Sequence, residues 1–344
     1  MRTLLCSLLF ATSVFAQTMP PLAPAPAGSK PIATNPSATS FTFVVAGDNR
    51  PAKSTCGQPP QLADVVSGIA ALKPAFALWD GDVIYGKDPS AVAAQYPVFF
   101  TAIAKANTPV FVAPGNHELS LKGTVDCPVP GKKHKEKPID EPDPSGQLAK
   151  AWVAAAGAPY GMFRYGNSAF IAINTDDSLN GEYNPGSCGY NGYVGNAQVA
   201  ALTSALNALQ ADKTVAHIFV FMHRPLNGSK SKDDLGPASV PQIAKVYSLL
   251  QPASGTAWTY TKLSFVFASH QHLFYFYDPT GKIGQKGPFT RTDPSSNGPS
   301  FIVTGGAGAP LSSGGYFHYL KVNVSGNNVT VTIVPISDTS SNCS

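Results

Sequence analysis

Short apolar segments that each end in polar residues recur along this chain, and they constrain its fold more than any other feature. Three such segments, rich in β-branched and aromatic residues, lie at Phe41–Ala46, Phe76–Trp79 and Pro109–Ala113. Apolar residues at helical spacing separate them at Gln61–Leu72 and Ala91–Ala106. This order of strand, helix, strand, helix and strand predicts an α/β fold whose sheet is buried on both faces.

The second half of the chain adds further strand and helix patterns. Two runs on either side of an Asn-containing turn predict a hairpin of Met162–Tyr165 and Ala169–Asn174. Helical spacing predicts helices at Ser145–Ala156 and Asn196–Leu209. The polar, proline-rich residues 121–144 are predicted to form a loop insertion. The remaining predicted strands are His217–Met222, Leu263–Ala268, Phe301–Val303, Tyr319–Val324 and Val329–Pro335.

The first 16 residues have the pattern of a secretory signal peptide. Arg2 supplies a positive charge, an apolar run extends from Leu4 to Phe15, and Ala16 ends a stretch with small residues at the cleavage positions. We therefore expect cleavage near Ala16 and a secreted or periplasmic protein.

The mature chain reads as one domain with two short flanking segments. Residues 17–40 are rich in Pro, Ala and Ser, and we expect them to form an extended, poorly ordered linker. Residues 41–337 carry the strand and helix patterns, and residues 338–344 form a tail. No stretch after the signal segment approaches 18 consecutive apolar residues, so no membrane anchor is expected.

Four cysteines remain once the signal segment is removed: Cys56, Cys127, Cys188 and Cys343. An even number of cysteines in a secreted chain predicts two disulfides, with three pairings open. We prefer Cys56–Cys127, because both cysteines follow motifs that are expected to converge.

The overall charge argues against a nucleic-acid-binding protein. The chain has 24 Lys and Arg residues against 20 Asp and Glu residues, which gives a formal charge of +4. This excess is too small to provide the electrostatic attraction that nucleic-acid binding requires.

Metal-binding residue types follow five of the predicted strands. In α/β sheets, ligands bind beyond the carboxyl ends of the strands, because the loops there share one edge. A Gly-Asp turn or a lone histidine is a weak signal, but the joint occurrence at five strand ends is strong. The residues are Asp48, Asp82, Asn116, His117, His223, His270 and His272.

These residue types suit two metal ions. The Asp82 carboxylate could bridge two cations, with Asn116, His223 and His270 completing one site and Asp48 and His272 serving the other. If the backbone is extended, His270 and His272 project to one side and can address neighbouring ions. Mixed oxygen and nitrogen ligands suit Fe, Zn or Mn better than Ca or Mg.

Five sequence blocks, in their order along the chain, resemble those of the calcineurin-like metallophosphoesterases. The closest resemblance is to the purple acid phosphatases, which carry a tyrosine three residues after the aspartate of the second block. The resemblance covers about residues 41–337. The blocks are Gly47-Asp48-Asn49-Arg50, Gly81-Asp82-Val83-Ile84-Tyr85, Gly115-Asn116-His117-Glu118, Met222-His223 and His270-Gln271-His272.

The resemblance implies a four-layer α/β/β/α sandwich with mixed central sheets and a dinuclear metal site, with Fe paired with Zn, Mn or a second Fe. It implies Asp48, Asp82, Tyr85 and His272 as ligands of the first metal. It also implies Asp82, Asn116, His223 and His270 as ligands of the second. A buried aromatic residue that bonds a carboxylate is the alternative for Tyr85.

Two residues near the expected metals are assigned catalytic roles. His117 is expected to face the leaving group as general acid, or the phosphate oxygens, with Glu118 orienting it. Arg50 stands where most relatives have a histidine ligand, and a guanidinium cannot bind a cation. Arg50 could grip a substrate phosphate or pair with a carboxylate, and both alternatives stay open.

The sequence therefore predicts a secreted acid phosphatase that hydrolyses small phosphate monoesters with a metal-bridging hydroxide as nucleophile. A phosphodiesterase on the same scaffold is the alternative within the enzymes. A non-catalytic binding module that retains the fold is the alternative outside them, and an empty metal site would favour it.

Overall fold

The computed structural model describes most of the predicted domain. The described residues are 18–29, 31–32, 35, 37–127, 135–177, 192–230, 235–236, 240–253, 256–279, 283–284 and 286–338. The predicted signal segment and residues 339–344 of the predicted tail lie outside them. The helices in the described part are α1 (Pro60–Leu72), α2 (Val92–Ala104), α3 (Asn116–Leu119), α4 (Gln147–Ala156), α5 (Asn196–Ala211) and α6 (Pro241–Leu250). The strands there are β1 (Ser40–Ala46), β2 (Phe76–Trp79), β3 (Val110–Val112), β4 (Ser120–Cys127), β5 (Lys135–Pro142), β6 (Gly161–Tyr165), β7 (Ser168–Ile173), β8 (His217–Met222), β9 (Leu263–Ala268), β10 (Phe274–Tyr277), β11 (Ile283–Gly284), β12 (Phe289–Thr292), β13 (Ser300–Thr304), β14 (His318–Ser325) and β15 (Asn328–Pro335).

These strands form two large mixed sheets and one separate hairpin. The first sheet has the order β12-β15-β14-β1-β2-β3, in which β1, β2 and β3 run parallel. The second has the order β11-β10-β13-β9-β8-β7-β6, in which β7, β8, β9 and β13 run parallel. Strands β4 and β5 pair only with each other. Each large sheet thus contains a parallel section whose strands end at one edge.

An aromatic core lies between the two sheets. Phe43 of β1 is fully buried, and its ring lies 5.3 Å from Phe76 of β2 and 5.1 Å from Phe219 of β8. Side chains alternate along a strand, so Val44 of β1 faces away from this core and joins a second cluster with the helices. Both faces of the parallel strands are therefore apolar, as the uninterrupted apolar runs predicted.

Helices cover the outer face of each sheet. Helices α1, α2 and α4 bury Ile69, Phe99 and Trp152 against the first sheet. Helices α5 and α6 bury Leu202 and Val246 against the second sheet. The layers are helix, sheet, sheet and helix, which confirms the predicted α/β/β/α sandwich with mixed central sheets.

Two segments differ from the predicted organisation. Residues 121–144, predicted as a loop, contain most of the β4–β5 hairpin, whose strands pair in register from Ser120 with Pro142 to Cys127 with Lys135. The reason is that β5 contains two prolines and lacks the apolar alternation that marks a half-buried strand, so main-chain hydrogen bonds form a pair that its sequence does not indicate. The predicted linker also makes contacts: the amide of Leu22 donates to the carbonyl of Met162, and residues 18–29 lie against the domain.

Two further features concern the cysteines and the helices. Cys56 takes part in a disulfide bond, while the side chain of Cys127 lies outside the described part, so the pairing stays a prediction. Among the described helices, none combines the length and the apolarity needed to cross a lipid bilayer.

Candidate metal centre

The predicted metal ligands meet where the parallel strands of both sheets end. Asp48, Asp82 and Asn116 follow β1, β2 and β3 of the first sheet, and His223 follows β8 of the second. The pair His270 and His272 follows β9. The carboxyl ends of the two sheets adjoin, so residues more than 200 positions apart come within contact distance.

Four of these residues adopt an uncommon backbone conformation. Asp48, Asp82, His270 and His272 have φ angles of 56°, 53°, 70° and 44°, in the left-handed region that few non-glycine residues occupy. His270 and His272 therefore do not meet the condition of extended backbone under which they would project to one side, because the chain turns sharply after β9. The turn still sends the two imidazoles to different partners. Local strain of this kind is characteristic of functional sites.

The first group of ligand atoms comes from Asp48, Asp82 and His272. One ligand atom from each of the three lies within 4.8 Å of the other two. Both carboxylate oxygens of Asp48 are buried without a hydrogen-bond partner. Burial and the neighbouring Asp82 raise the pKa of Asp48 well above its ordinary value. A cation between these atoms would satisfy the Asp48 oxygens and favour the ionised carboxyl group, so the donor set fits a metal.

A second group surrounds Nε2 of His223. This nitrogen lies 2.9 Å from Oδ1 of Asn116 and 3.3 Å from Oδ1 of Asp82. Nδ1 of His223 lies 2.9 Å from the carbonyl oxygen of Asp80, which can only accept, so Nδ1 carries the proton and Nε2 presents a lone pair. Three lone-pair atoms therefore face one another, an arrangement that a cation would stabilise.

His270 lies beside this second group, but both of its ring nitrogens already have hydrogen-bond partners. Its Nδ1 lies 3.1 Å from Nε2 of His223, and its Nε2 lies 3.1 Å from Nη1 of Arg224. A guanidinium only donates, so the neutral imidazole of His270 accepts at Nε2 and carries its proton on Nδ1. As placed, His270 donates to His223, and its role as a metal ligand remains a proposal.

The Asp82 carboxylate belongs to both groups, as a bridging ligand must. Burial alone would raise the pKa of Asp82, but electrostatic interactions with neighbouring side chains, His223 first and Arg50 among them, hold it well below its usual range. Asp82 therefore stays ionised next to Asp48. This position is the one predicted for a carboxylate shared by two cations.

Glu118 fixes the backbone around Asp82. Its buried carboxylate accepts hydrogen bonds from the amides of Asp82, Val83, Ile84 and Gly115, at 2.9, 2.9, 3.2 and 2.7 Å. Glu118 was expected to orient His117; its hydrogen bonds instead hold the loop after β2 against the turn after β3. These hydrogen bonds hold the backbone of the loop that carries Asp82.

Arg50 pairs with Asp82, which is one of the two alternatives left open by the sequence. Nε of Arg50 lies 3.3 Å from Oδ2 of Asp82. The side chain of Arg50 is 17% exposed, so part of it contacts solvent.

His117 and Tyr85 lie together at the edge of the site. Nδ1 of His117 donates to the carbonyl oxygen of Tyr85, and its Nε2 lies 3.9 Å from Oδ2 of Asp82. The two rings are 5.8 Å apart in an edge-on arrangement. Burial is the main reason that the pKa of His117 falls to about 3, so the imidazole is neutral at pH 7. The ligand role of Tyr85 stays a prediction.

Sequence reasoning missed a charged network beside the second group. Arg224 is buried and forms two hydrogen bonds through Nε and Nη2 to Asp176, and a third to Asp140 of β5. Asp140 also accepts hydrogen bonds from Lys87 and from Nδ2 of Asn116. The position of Arg224 directly after His223 could have indicated its proximity to the site. No sequence feature indicated Asp140, because the segment around it was predicted to be a loop.

The glycine-rich loop after β13 passes under the first group. A Cβ atom on Gly305 would lie 2.3 Å from Oδ2 of Asp48 and 2.7 Å from the amide nitrogen of His272. Only glycine allows the backbone to approach these residues so closely.

A family model matches the part of the chain that carries this site. The model of the calcineurin-like phosphoesterases matches residues 41–274, which include every predicted metal ligand. No curated protein matches the chain.

Three solved structures are similar to this chain at low sequence identity. PhoD shares 15% of its residues with this chain at a TM-score of 0.51, and the match covers 86% of this chain and 65% of PhoD. GAP50, described as the anchor in the inner membrane complex of Plasmodium, shares 14% at a TM-score of 0.44, covering 87% of this chain and 85% of GAP50. A metallophosphoesterase from Sphaerobacter thermophilus shares 12% at a TM-score of 0.34, covering 86% and 88%. The chain thus spans less than two thirds of the PhoD structure, and the likeness to PhoD concerns the fold alone.

Proposed function

Because this chain belongs to the calcineurin-like phosphoesterase family, we propose that it hydrolyses phosphoric esters with the help of two bound metal ions. Within that class, we propose a secreted acid phosphatase that acts on small phosphate monoesters. Asp48, Asp82 and His272 would hold one ion, and Asp82, Asn116, His223 and His270 the other. Tyr85 is proposed as a further ligand of the first ion.

The observation that carries this proposal is the crowding of acceptor atoms at the strand ends, two of which have no hydrogen-bond partner. Asp48 has two buried oxygens without a hydrogen-bond partner, and Nε2 of His223 faces Oδ1 of Asn116 at 2.9 Å. Such an arrangement is unfavourable unless a cation compensates it. When bound, a pair of cations supplies an activated water molecule and neutralises the charge that develops on the phosphoryl group.

The residues around the ligands would bind and orient the substrate. Arg50 can keep its contact with Asp82 through Nε and direct its remaining N–H groups at a phosphate oxygen, because a guanidinium has five donors. His117 is neutral in this structure, and a phosphate dianion beside Nε2 would favour its protonated form. It could then donate that proton to the departing alkoxide.

The proposal is tested by metal analysis and by hydrolysis of two aryl esters. We expect about two equivalents of metal per purified chain, and turnover of 4-nitrophenyl phosphate that exceeds turnover of bis(4-nitrophenyl) phosphate. Faster turnover of the diester would support the phosphodiesterase instead. A protein without bound metal and without either activity would support a binding module.

Asp82→Asn is the decisive variant. It keeps the size of the side chain but removes the charge that two cations would share, so kcat/KM should fall by more than about 100-fold, beyond the usual effect of an outer-shell substitution. Asp64→Asn, on the exposed face of α1, is the matched control and should retain activity. Unchanged turnover and metal content in Asp82→Asn would refute the bridging role.

Tyr85→Phe tests the purple acid type separately. A phenolate bound to ferric iron gives the protein a visible colour, and removal of the hydroxyl should abolish that absorption. A colourless wild-type protein that contains Zn or Mn would place it elsewhere in the family without affecting the hydrolase proposal.

A further inference from the structure

Asp140 joins three parts of the chain next to the proposed second metal ion. Its carboxylate lies 2.7 Å from Nδ2 of Asn116 and 2.8 Å from Nη2 of Arg224, and Lys87 donates to its other oxygen. The side chain of Asp140 is 21% exposed and is carried by the β4–β5 hairpin, outside both large sheets.

The hydrogen bond from Asn116 to Asp140 determines the orientation of the Asn116 carboxamide group. The carboxamide of Asn116 lies between the Asp140 carboxylate and Nε2 of His223. If the amide were turned over, its oxygen would face a carboxylate oxygen at about 2.7 Å and its NH₂ group would face His223. Two such oxygens repel each other, so Asp140 directs the NH₂ group of Asn116 towards itself and Oδ1 towards His223 and Asp82.

The cationic side chains of Arg224 and Lys87 hold Asp140 in the position from which it binds Asn116. Arg224 is itself fixed by two hydrogen bonds to the buried Asp176, and it reaches Asp140 with Nη2 and His270 with Nη1. Lys87 follows the loop that carries Asp82, and its amide donates to the carbonyl oxygen of His117. Asp140 is therefore hydrogen-bonded to residues that follow β8 (Arg224) and β2 (Lys87) beside the proposed metal site.

We propose that Asp140 is a positioning residue: by binding the NH₂ group of Asn116, it presents Oδ1 of Asn116 to the metal ion that His223 and Asp82 share. This inference rests on the proposed function, because it concerns a ligand of the same site. It assigns the β4–β5 hairpin a part in metal binding, although none of the five sequence blocks lies in that hairpin.

The test is a titration of the metal-stripped full-length protein with Mn²⁺ in a calorimeter. For Asp140→Ala we expect one of two Mn²⁺ sites to weaken by about 10- to 100-fold, the usual effect of removing an outer-shell partner. The other site should stay within about threefold. Equal weakening of both sites would indicate a general loss of charge and would overturn the proposal, as would unchanged binding.

Glu141→Ala is the matched control. Glu141 is the next residue of β5, carries the same charge, and packs over Gly123 on the other face of the hairpin. Its removal should leave both Mn²⁺ sites intact. Should Asp140→Ala fail to fold, Asp140→Leu keeps roughly the volume of the side chain but offers no acceptor for the NH₂ group of Asn116, so it should show the same selective weakening.

A double-mutant cycle shows whether Asp140 acts through Asn116. If it does, the double variant Asn116→Ala/Asp140→Ala should bind Mn²⁺ as Asn116→Ala alone does. Additive losses would overturn the positioning role. If Asp140→Ala weakens one Mn²⁺ site selectively but the protein hydrolyses neither aryl ester, this inference stands and the proposed function is refuted. If the protein binds metal and is active but Asp140→Ala changes neither Mn²⁺ site, the proposed function stands and this inference is refuted.

Discussion

Replacement of Glu118 by alanine should destabilise the protein strongly, even without metal. The carboxylate of Glu118 is fully buried and accepts four backbone hydrogen bonds, from Asp82, Val83, Ile84 and Gly115. Each buried amide left without an acceptor costs about 1–3 kcal/mol, so Glu118→Ala should lower the free energy of unfolding by roughly 4 kcal/mol or more. That is a large share of the stability of a typical domain, about 5–15 kcal/mol.

The assay is urea unfolding of the metal-stripped protein, followed by circular dichroism. Glu118→Gln provides the graded comparison, because its single carbonyl oxygen can accept about half of the four hydrogen bonds. We expect the order wild type, Gln variant, Ala variant in decreasing stability. A loss below about 1 kcal/mol in Glu118→Ala would refute the view that this carboxylate anchors the loop that carries Asp82.

Three further changes test the fold and its link to metal. Asp143 accepts hydrogen bonds from the amide of Leu148 in the first turn of α4, at 2.8 Å, and from the hydroxyl group of Ser145, so Asp143→Ala should cost about 1 kcal/mol in urea unfolding. Burial would raise the pKa of Asp143, but these hydrogen bonds outweigh it and lower the pKa. The contribution of Asp143 to the free energy of unfolding should therefore be present above about pH 4 and be lost as the pH falls through about 4 and below. A contribution that does not change with pH would contradict this prediction. Phe43→Ala should cost about 3–5 kcal/mol, because the ring is fully buried between the sheets, and a near-neutral effect would contradict the packing. Adding Mn²⁺ at 100 times its dissociation constant should stabilise the metal-stripped protein by about 2.7 kcal/mol per site, and an unchanged unfolding midpoint would argue against binding to the native state.

The strands that carry the site could be predicted from the sequence because they are buried on both faces. Strands β2, β8 and β9 begin and end at the predicted residues, and β1 differs by one residue. A short, continuous apolar run is typical of a strand that is buried on both faces of a sheet, and the carboxyl ends of parallel strands share one edge. The approach of Asp48 and Asp82 to His272 follows from those two facts together.

Other elements could not be predicted as directly. Strand β5 of the β4–β5 hairpin is almost entirely polar and contains two prolines, so no apolar pattern indicates it, and Asp140 was missed with it. Helix α6 was also missed, although the spacing of its buried residues Ile243, Val246 and Leu250 is helical. Short apolar runs before a proline-interrupted loop are ambiguous between helix and strand.

The buried arginine and the histidine pair illustrate a different limit. Arg224 is 2% exposed, and nothing local in the sequence predicts the Asp176 carboxylate that compensates its charge from 48 positions away. His270 and His272 adopt left-handed backbone just beyond the predicted end of β9. Both features depend on tertiary contacts that override the local preference of the residues.

The most direct test of two shared metal ions is an anomalous diffraction map from crystals of the Mn²⁺-loaded protein. Two peaks about 3.5–4 Å apart are predicted, with the Asp82 carboxylate between them. One peak should lie beside Asp48 and His272, and the other beside Asn116 and His223. The absence of density at the ends of β1, β2 and β8, or a single peak remote from Asp82, would contradict the account.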